Sequence, residues 1–368
     1  MDRWTEAEAN AWGAARKWVC GFNYLPSTAV NFLEMWHRDT FDRATIEREL
    51  GWAGDIGFNA FRINLHFLVW KHDRGGLMER LDWTMDLAAR LGIDAVPCLF
   101  DDCGFGGDEP VYGPQPDPIP GVHNSRAVAS PGRARVMDAS VRPELEAYVR
   151  DIVGTFRDDP RVLFWDLYNE PGNRMIFGLD GFGEYDPALA AHSRNLMDAS
   201  FDWARDEAPE QPLTVAAWTT PLPGTELPPY QTDMDRAAIA LSDIVSFHAY
   251  WTTTHVARFI DHLARHKRPM VCTEWMARAI DSRIQHQLGL FHDRNVGSFQ
   301  WGFVKGRTQT HLPWPVDLVR AHGGIENRET WFHDVLHEDG TPYDPKEIET
   351  VRRLTSSGRA DATAGGDR

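Results

Sequence analysis

The stretch "WDLYNEP", residues 165 to 171, carries a run of strand-forming apolar residues straight into Asn169, Glu170 and Pro171. Stability alone would give the end of a buried strand to a loop former, not to a carboxylate. An α/β barrel does place its chemistry there, because its active site is built at the carboxyl ends of its parallel strands. The reading therefore turns on whether the rest of the chain supplies seven more such strands.

Short apolar, β-branched or aromatic runs recur: "WVCGFNY" (18 to 24), "FNAFRINL" (58 to 65), "IDAVPCLF" (93 to 100) and "RVLFWDLYN" (161 to 169). "LTVAAW" (213 to 218), "DIVSFHAY" (243 to 250), "PMVCTEW" (269 to 275) and "VGSFQWGF" (296 to 303) follow. Between them, helical periodicity predicts helices over 42 to 56, 78 to 91, 142 to 156 and 186 to 207, with weaker ones over 232 to 241, 255 to 266 and 280 to 294. Gly57 and Gly92 stand where helices should close, and Pro143 where one should open. This alternation predicts an α/β fold, a single (β/α)8 TIM barrel. An open doubly wound sheet would want a Gly-rich phosphate turn after its first strand, and "GFNYLPSTAVN" (21 to 31) offers no G-x-G-x-x-G.

Two regions break the rhythm. Residues 104 to 133 are too rich in Gly and Pro for a helix or strand, which predicts a long loop over the active face after strand three. A second long excursion, 304 to 342, follows strand eight, and a last helix is expected near 344 to 355. The catalytic barrel is thus assigned to residues 1–356, and the small, polar tail 357–368 is expected to be disordered.

The chain of 368 residues carries a formal charge of −16, which disfavours nucleic acid and anionic membrane surfaces as partners. No run of about 18 apolar residues is present to span a membrane. The acidic start "MDRWTEAEANAW" lacks the features of a secretory signal, so a cytoplasmic location is expected. Of the four cysteines, Cys20, Cys98 and Cys272 sit in strand runs as reduced core residues, and Cys103 follows the third strand. Fifteen tryptophans offer flat faces of the kind that stack on sugar rings, although most suit a core equally well.

The strand ends supply the candidate site. The second offers Arg62, Asn64 and His66, the third Asp101 and Asp102, and the fourth Asn169 and Glu170. The later strands add Trp218, His248, Tyr250, Glu274, Trp275 and Trp301. Glutamates on strands four and seven face each other across a barrel mouth. Retaining glycoside hydrolysis needs such a pair, one carboxyl as acid then base and the other as nucleophile, about 5 to 5.5 Å apart. His248 and Tyr250 alternate with Phe247 and Ala249 and so share a face, as a catalytic or a core pair. A metallohydrolase would want H-x-H or H-E-x-x-H, and neither marks a strand end. A Schiff-base aldolase would want a barrel lysine, but Lys71 and Lys305 lie past strand ends. No metal and no cofactor are expected.

"LYNEP", "SFHAYW", "CTEW" and "FQWGF", in this order over residues 18 to about 303, resemble glycoside hydrolase clan A and most closely its family 5. The resemblance implies that Glu170 is the acid/base and Glu274 the nucleophile. It implies that Asn169 donates to the sugar 2-hydroxyl and that Arg62 and Tyr250 hold Glu274 ionised. It further implies that His248 orients the acid/base side and that Trp301 is the platform under the sugar. Many family members carry a His near the end of strand three, where this chain has Asp101 and Asp102. That departure suggests an acidic pair gripping sugar hydroxyls. The stretches 21 to 36 and 120 to 133 are similar to subfamily 18, often labelled xylanase, whose members resemble exo-acting β-mannosidases on the mannosyl-β-1,4-N-acetylglucosamine linkage. The expected partner is a short oligosaccharide, with a homo-oligomer possible through the aromatic loops. An endo-acting xylanase, mannanase or glucanase and a non-catalytic sugar-binding barrel are the alternatives.

Overall fold

The computed structural model describes residues 2–179, 181–221, 224–225, 227–325 and 327–356. The tail expected to be disordered lies outside the described residues. Eight parallel strands form one sheet: β1 (Cys20–Asn23), β2 (Ala60–Asn64), β3 (Asp94–Asp101), β4 (Trp165–Asn169), β5 (Leu213–Thr214), β6 (Val245–His248), β7 (Met270–Trp275) and β8 (Gly297–Gln300). Sequence neighbours pair from β1 through β5 and from β6 through β8, and β8 returns to pair with β1. Between β5 and β6 the barrel closes through Ala217, whose N–H donates to the Ser246 carbonyl at 3.0 Å and whose own carbonyl accepts from His248 N–H at 2.9 Å. The fold is therefore the expected (β/α)8 barrel. β5 is short because side chains take over its ladder: Val215 N–H donates to Ser242 Oγ and Trp218 N–H to Asp235 Oδ1.

Helices alternate with the strands where periodicity placed them, including Arg43–Ile56, Arg142–Phe156, Leu189–Asp206 and Pro345–Ser356. Gly57 closes the first of these in the left-handed conformation, φ 105°, which only glycine adopts without penalty. One boundary differs. The helix expected from residue 78 begins at Phe67 and runs to Arg90, kinked at Asp73, so the Gly75–Gly76 pair lies inside it rather than ahead of it.

Residues 102–132 hold no helix or strand, as their Gly and Pro content requires. They are fastened across the mouth to the segment after β8. Asn124 N–H donates to the Thr308 carbonyl at 2.8 Å, and Gln309 Nε2 to the Ile119 and Val122 carbonyls at 2.7 and 3.1 Å. Arg307 reaches Asp117 at 2.9 Å. β1 and β2 lie between β3 and β8 in the barrel, so this clasp covers one side of its mouth.

Candidate active site

Glu170 follows the last residue of β4 with a φ of 44°, a backbone conformation uncommon outside glycine and costing on the order of 1–3 kcal/mol. Such strain persists only where the surroundings fix it, and the surroundings here are donors. Asn173 Nδ2 donates to Oε2 at 2.6 Å, Cys103 Sγ stands 3.2 Å from the same oxygen, and His248 Nδ1 lies 2.8 Å from Oε1. Glu274 sits on β7 beside an irregularity in register: Phe247 pairs with Cys272 but His248 with Glu274, so one extra residue is accommodated just before the carboxylate.

Arg62 is the hub beneath both carboxylates. Its Nη1 donates to Glu274 Oε1 at 3.0 Å and to Asn23 Oδ1 at 2.8 Å, its Nη2 to Asn169 Oδ1 at 2.8 Å, and its Nε to Asp166 Oδ2 at 2.8 Å. With no exposed surface, Arg62 orients Glu274 and Asn169 rather than touching a ligand. Tyr250 OH donates to the other oxygen, Glu274 Oε2, at 2.8 Å.

Burial lifts the Glu274 carboxyl to about 7, and the neighbouring Glu170 adds repulsion, while His248, Arg62 and Tyr250 oppose the rise. Burial also raises Glu170, opposed by hydrogen bonds from Asn173 and Cys103. Between the two, the proton belongs on Glu170: Glu274 alone bonds a guanidinium directly, and that charge favours its ionised form. His248 is held neutral by burial. Its Nε2 is buried with no hydrogen-bond partner among the described residues.

Oxygens of Glu170 and Glu274 and a ring nitrogen of His248 lie within 4.8 Å of one another. Such a cluster invites the question of a cation. The donors already on Glu274 fit one poorly, since a metal there would face the buried Arg62 charge 3.0 Å from Oε1 and displace the Tyr250 hydroxyl from Oε2.

The carboxylates open into a cavity of about 260 Å³, also lined by Asn169, His248, Tyr250, Trp301 and Asp101. That is smaller than the roughly 300–1,000 Å³ of drug-sized ligand sites and suits a small ligand. Trp218, Trp251 and Trp314 add to the walls, whereas Trp275 is fully buried beneath the site.

The acidic pair at the end of β3 divides. Asp101 lines the cavity, although Asn64, Asn169 and the Cys103 N–H already donate to it at 2.8 to 2.9 Å. Asp102 corrects the expectation of a second sugar contact. It has no exposed surface and accepts from Tyr168 OH, Gly172 N–H and Ser193 Oγ at 2.8, 2.6 and 2.6 Å, which makes it a brace for the loop after β4. Asn64 and His66 also stay out of the cavity, His66 instead capping the helix that starts at Phe67. Sequence reasoning passed over Cys103 and Asn173. The only signal for them was position, since Asn173 is three residues beyond Glu170 and Cys103 directly follows the acidic pair.

No protein-family model matches the sequence, and neither does any curated protein. Solved structures do match. GH5_18 from Streptomyces cattleya in complex with GlcNAc superposes with a TM-score of 0.60 at 16% identity, over 95% of this chain and 81% of that one. A variant of the same protein in complex with Manb1-4GlcNAc gives 0.61 at 16% identity, over 95% and 82%. A beta-mannanase from the blue mussel Mytilus edulis gives 0.56 at 13% identity, over 92% of each chain. These likenesses establish a shared barrel fold. Among the described residues, no helix is long and apolar enough to cross a membrane.

Proposed function

We propose that this protein is a retaining glycoside hydrolase of the family 5 type, an exo-β-mannosidase acting on mannosyl-β-1,4-N-acetylglucosamine. The observation that carries the reading is the carboxylate pair: Glu170 and Glu274, buried on strand ends four and seven, with oxygens within 4.8 Å of each other through the His248 cluster. Inverting enzymes hold their carboxyls about 6.5–9.5 Å apart to admit a water, whereas retaining enzymes hold them near 5 Å. The environments divide the labour. Glu274, paired with Arg62 and Tyr250, attacks the anomeric carbon while Glu170 donates its proton to the departing glycosidic oxygen. Glu170, now ionised, then takes a proton from the water that attacks the same carbon and frees Glu274.

Two observations favour exo action on a short substrate. The clasp between 119–124 and 307–309 covers one side of the mouth, and the cavity is small. For the sugar, the support is that two structures sharing this fold, from Streptomyces cattleya and Bifidobacterium longum, hold Manb1-4GlcNAc. The test is Glu274→Ala. The variant should fold and lose turnover, and azide should restore it by forming a sugar azide of inverted configuration. Wild-type activity without azide would sink the assignment.

A further inference from the structure

Cys103 stands apart from the other three cysteines, which are fixed in strands, because it borders the cavity and touches a carboxylate. Its Sγ is 3.2 Å from Glu170 Oε2, and Asn169 and Asn173 turn their Nδ2 groups toward the sulfur at 3.4 and 3.5 Å. Asn173 Nδ2 also donates to Oε2 at 2.6 Å. Burial, then the charges of Glu170 and Asp101, hold the thiol far above its ordinary titration range. The sulfur therefore keeps its proton, and that proton has Oε2 as an acceptor. Oε1 makes a different contact, 2.8 Å to His248 Nδ1.

We propose that Cys103 and Asn173 form a donor clamp on Oε2 of Glu170, which keeps negative charge on that oxygen and leaves Oε1, beside His248, to carry the transferable proton. The proposal rests on the acid/base role given to Glu170 above. Cys103 acts through Glu170 and is a positioning residue. The other charged or titratable groups facing Glu170 are Asp101 from β3, Arg62 from β2, His248 and Tyr250 at the end of β6, and Glu274 from β7. Of all these neighbours, the described hydrogen bonds to Oε2 come only from Cys103 and Asn173.

Removing the thiol takes a donor from the ionised form of Glu170, so its protonated form is favoured. In Cys103→Ala the alkaline limb of kcat/KM, which reports loss of the acid's proton, should move up by roughly half to one pH unit, a three- to ten-fold change in that equilibrium. Cys103→Ser, which restores a donor, should bring the limb back toward wild type. An unmoved limb in a folded Cys103→Ala enzyme overturns the clamp.

A second readout needs no turnover. The S–H stretching band of Cys103, isolated by subtracting the Cys103→Ala Raman spectrum from that of the intact enzyme, should lie below a free thiol's frequency and shift as Glu170 titrates. It should stay fixed with pH in Glu170→Gln. A band at the free-thiol position, indifferent to pH in the intact enzyme, refutes the clamp whether or not any glycoside is cleaved. Absence of glycosidase activity beside a titrating band would instead refute the reaction and leave the contact standing.

Discussion

Removing the Tyr250 hydroxyl should move the acid limb of the pH profile and little else. That hydroxyl donates to Glu274 Oε2 at 2.8 Å, a hydrogen bond to a charged group worth about 1.5–3 kcal/mol. At about 1.36 kcal/mol per pKa unit, its loss in Tyr250→Phe raises the carboxyl by roughly one to two units. Burial already raises the Glu274 carboxyl, so the variant's nucleophile should titrate higher still. The sign follows from the role. The nucleophile must be ionised, a donor to the ionised form lowers its pKa, and removing the donor makes protonation easier. Below pH 7 kcat/KM should therefore fall roughly 10- to 100-fold, and much of the loss should be recovered as pH rises until Glu170 loses its proton. The assay is the pH dependence of kcat/KM on a chromogenic β-mannoside, with melting temperature as a control. An acid limb that stays in place in a normally folded Tyr250→Phe enzyme would refute the assignment of Glu274 as the ionised partner.

Three further outcomes follow from the buried network. Arg62→Met leaves Asp166 and Glu274 without their cation, so unfolding should cost about 3–5 kcal/mol less, read by chemical denaturation; an unchanged midpoint would contradict the hub. Asp102→Ala strands the Tyr168, Gly172 and Ser193 donors and should lower the melting temperature while leaving KM unchanged; a raised KM at wild-type stability would restore Asp102 as a sugar contact. Burial lifts the Asp334 carboxyl to about 7, so between its ordinary range and 7 the folded state holds a proton that the unfolded chain releases, and stability falls as pH rises through that window. Asp334→Asn cannot titrate and should flatten that decline between pH 4.5 and 7.5, as melting temperatures would show; an equal slope in both proteins would contradict this.

The barrel was legible because parallel strands buried on both faces read as short apolar runs, and all eight appear where those runs fall. Gly57, Gly92 and Pro143 marked helix ends for backbone reasons that need no tertiary context. What escaped depends on contacts between distant segments. β5 is trimmed by Ser242 and Asp235, and the Phe67–Arg90 helix runs through Gly75 and Gly76, with Arg80 donating to Asp73 at its kink. The antiparallel hairpin of Met175–Gly178 and Gly181–Glu184 was also missed, because its few residues carry no alternating pattern strong enough to stand out. At the site, the glutamates, Arg62, His248 and Tyr250 converge as strand-end residues should. Asp102 was misplaced because neighbouring residues alternate faces, so only one of two consecutive aspartates can look into the barrel mouth. Cys103 and Asn173 stay silent in the sequence because neither a thiol nor an amide signals there what it touches.

We propose that Glu170 and Glu274 cleave a β-mannosidic bond with retention. This is tested most directly by following hydrolysis of mannosyl-β-1,4-N-acetylglucosamine by proton NMR, beside β-1,4-mannobiose, cellobiose and xylobiose, with Glu274→Ala as blank. Retention gives β-mannose as the first product from the first substrate, and the blank should give no signal. Initial release of α-mannose, or equal hydrolysis by the blank, would contradict it.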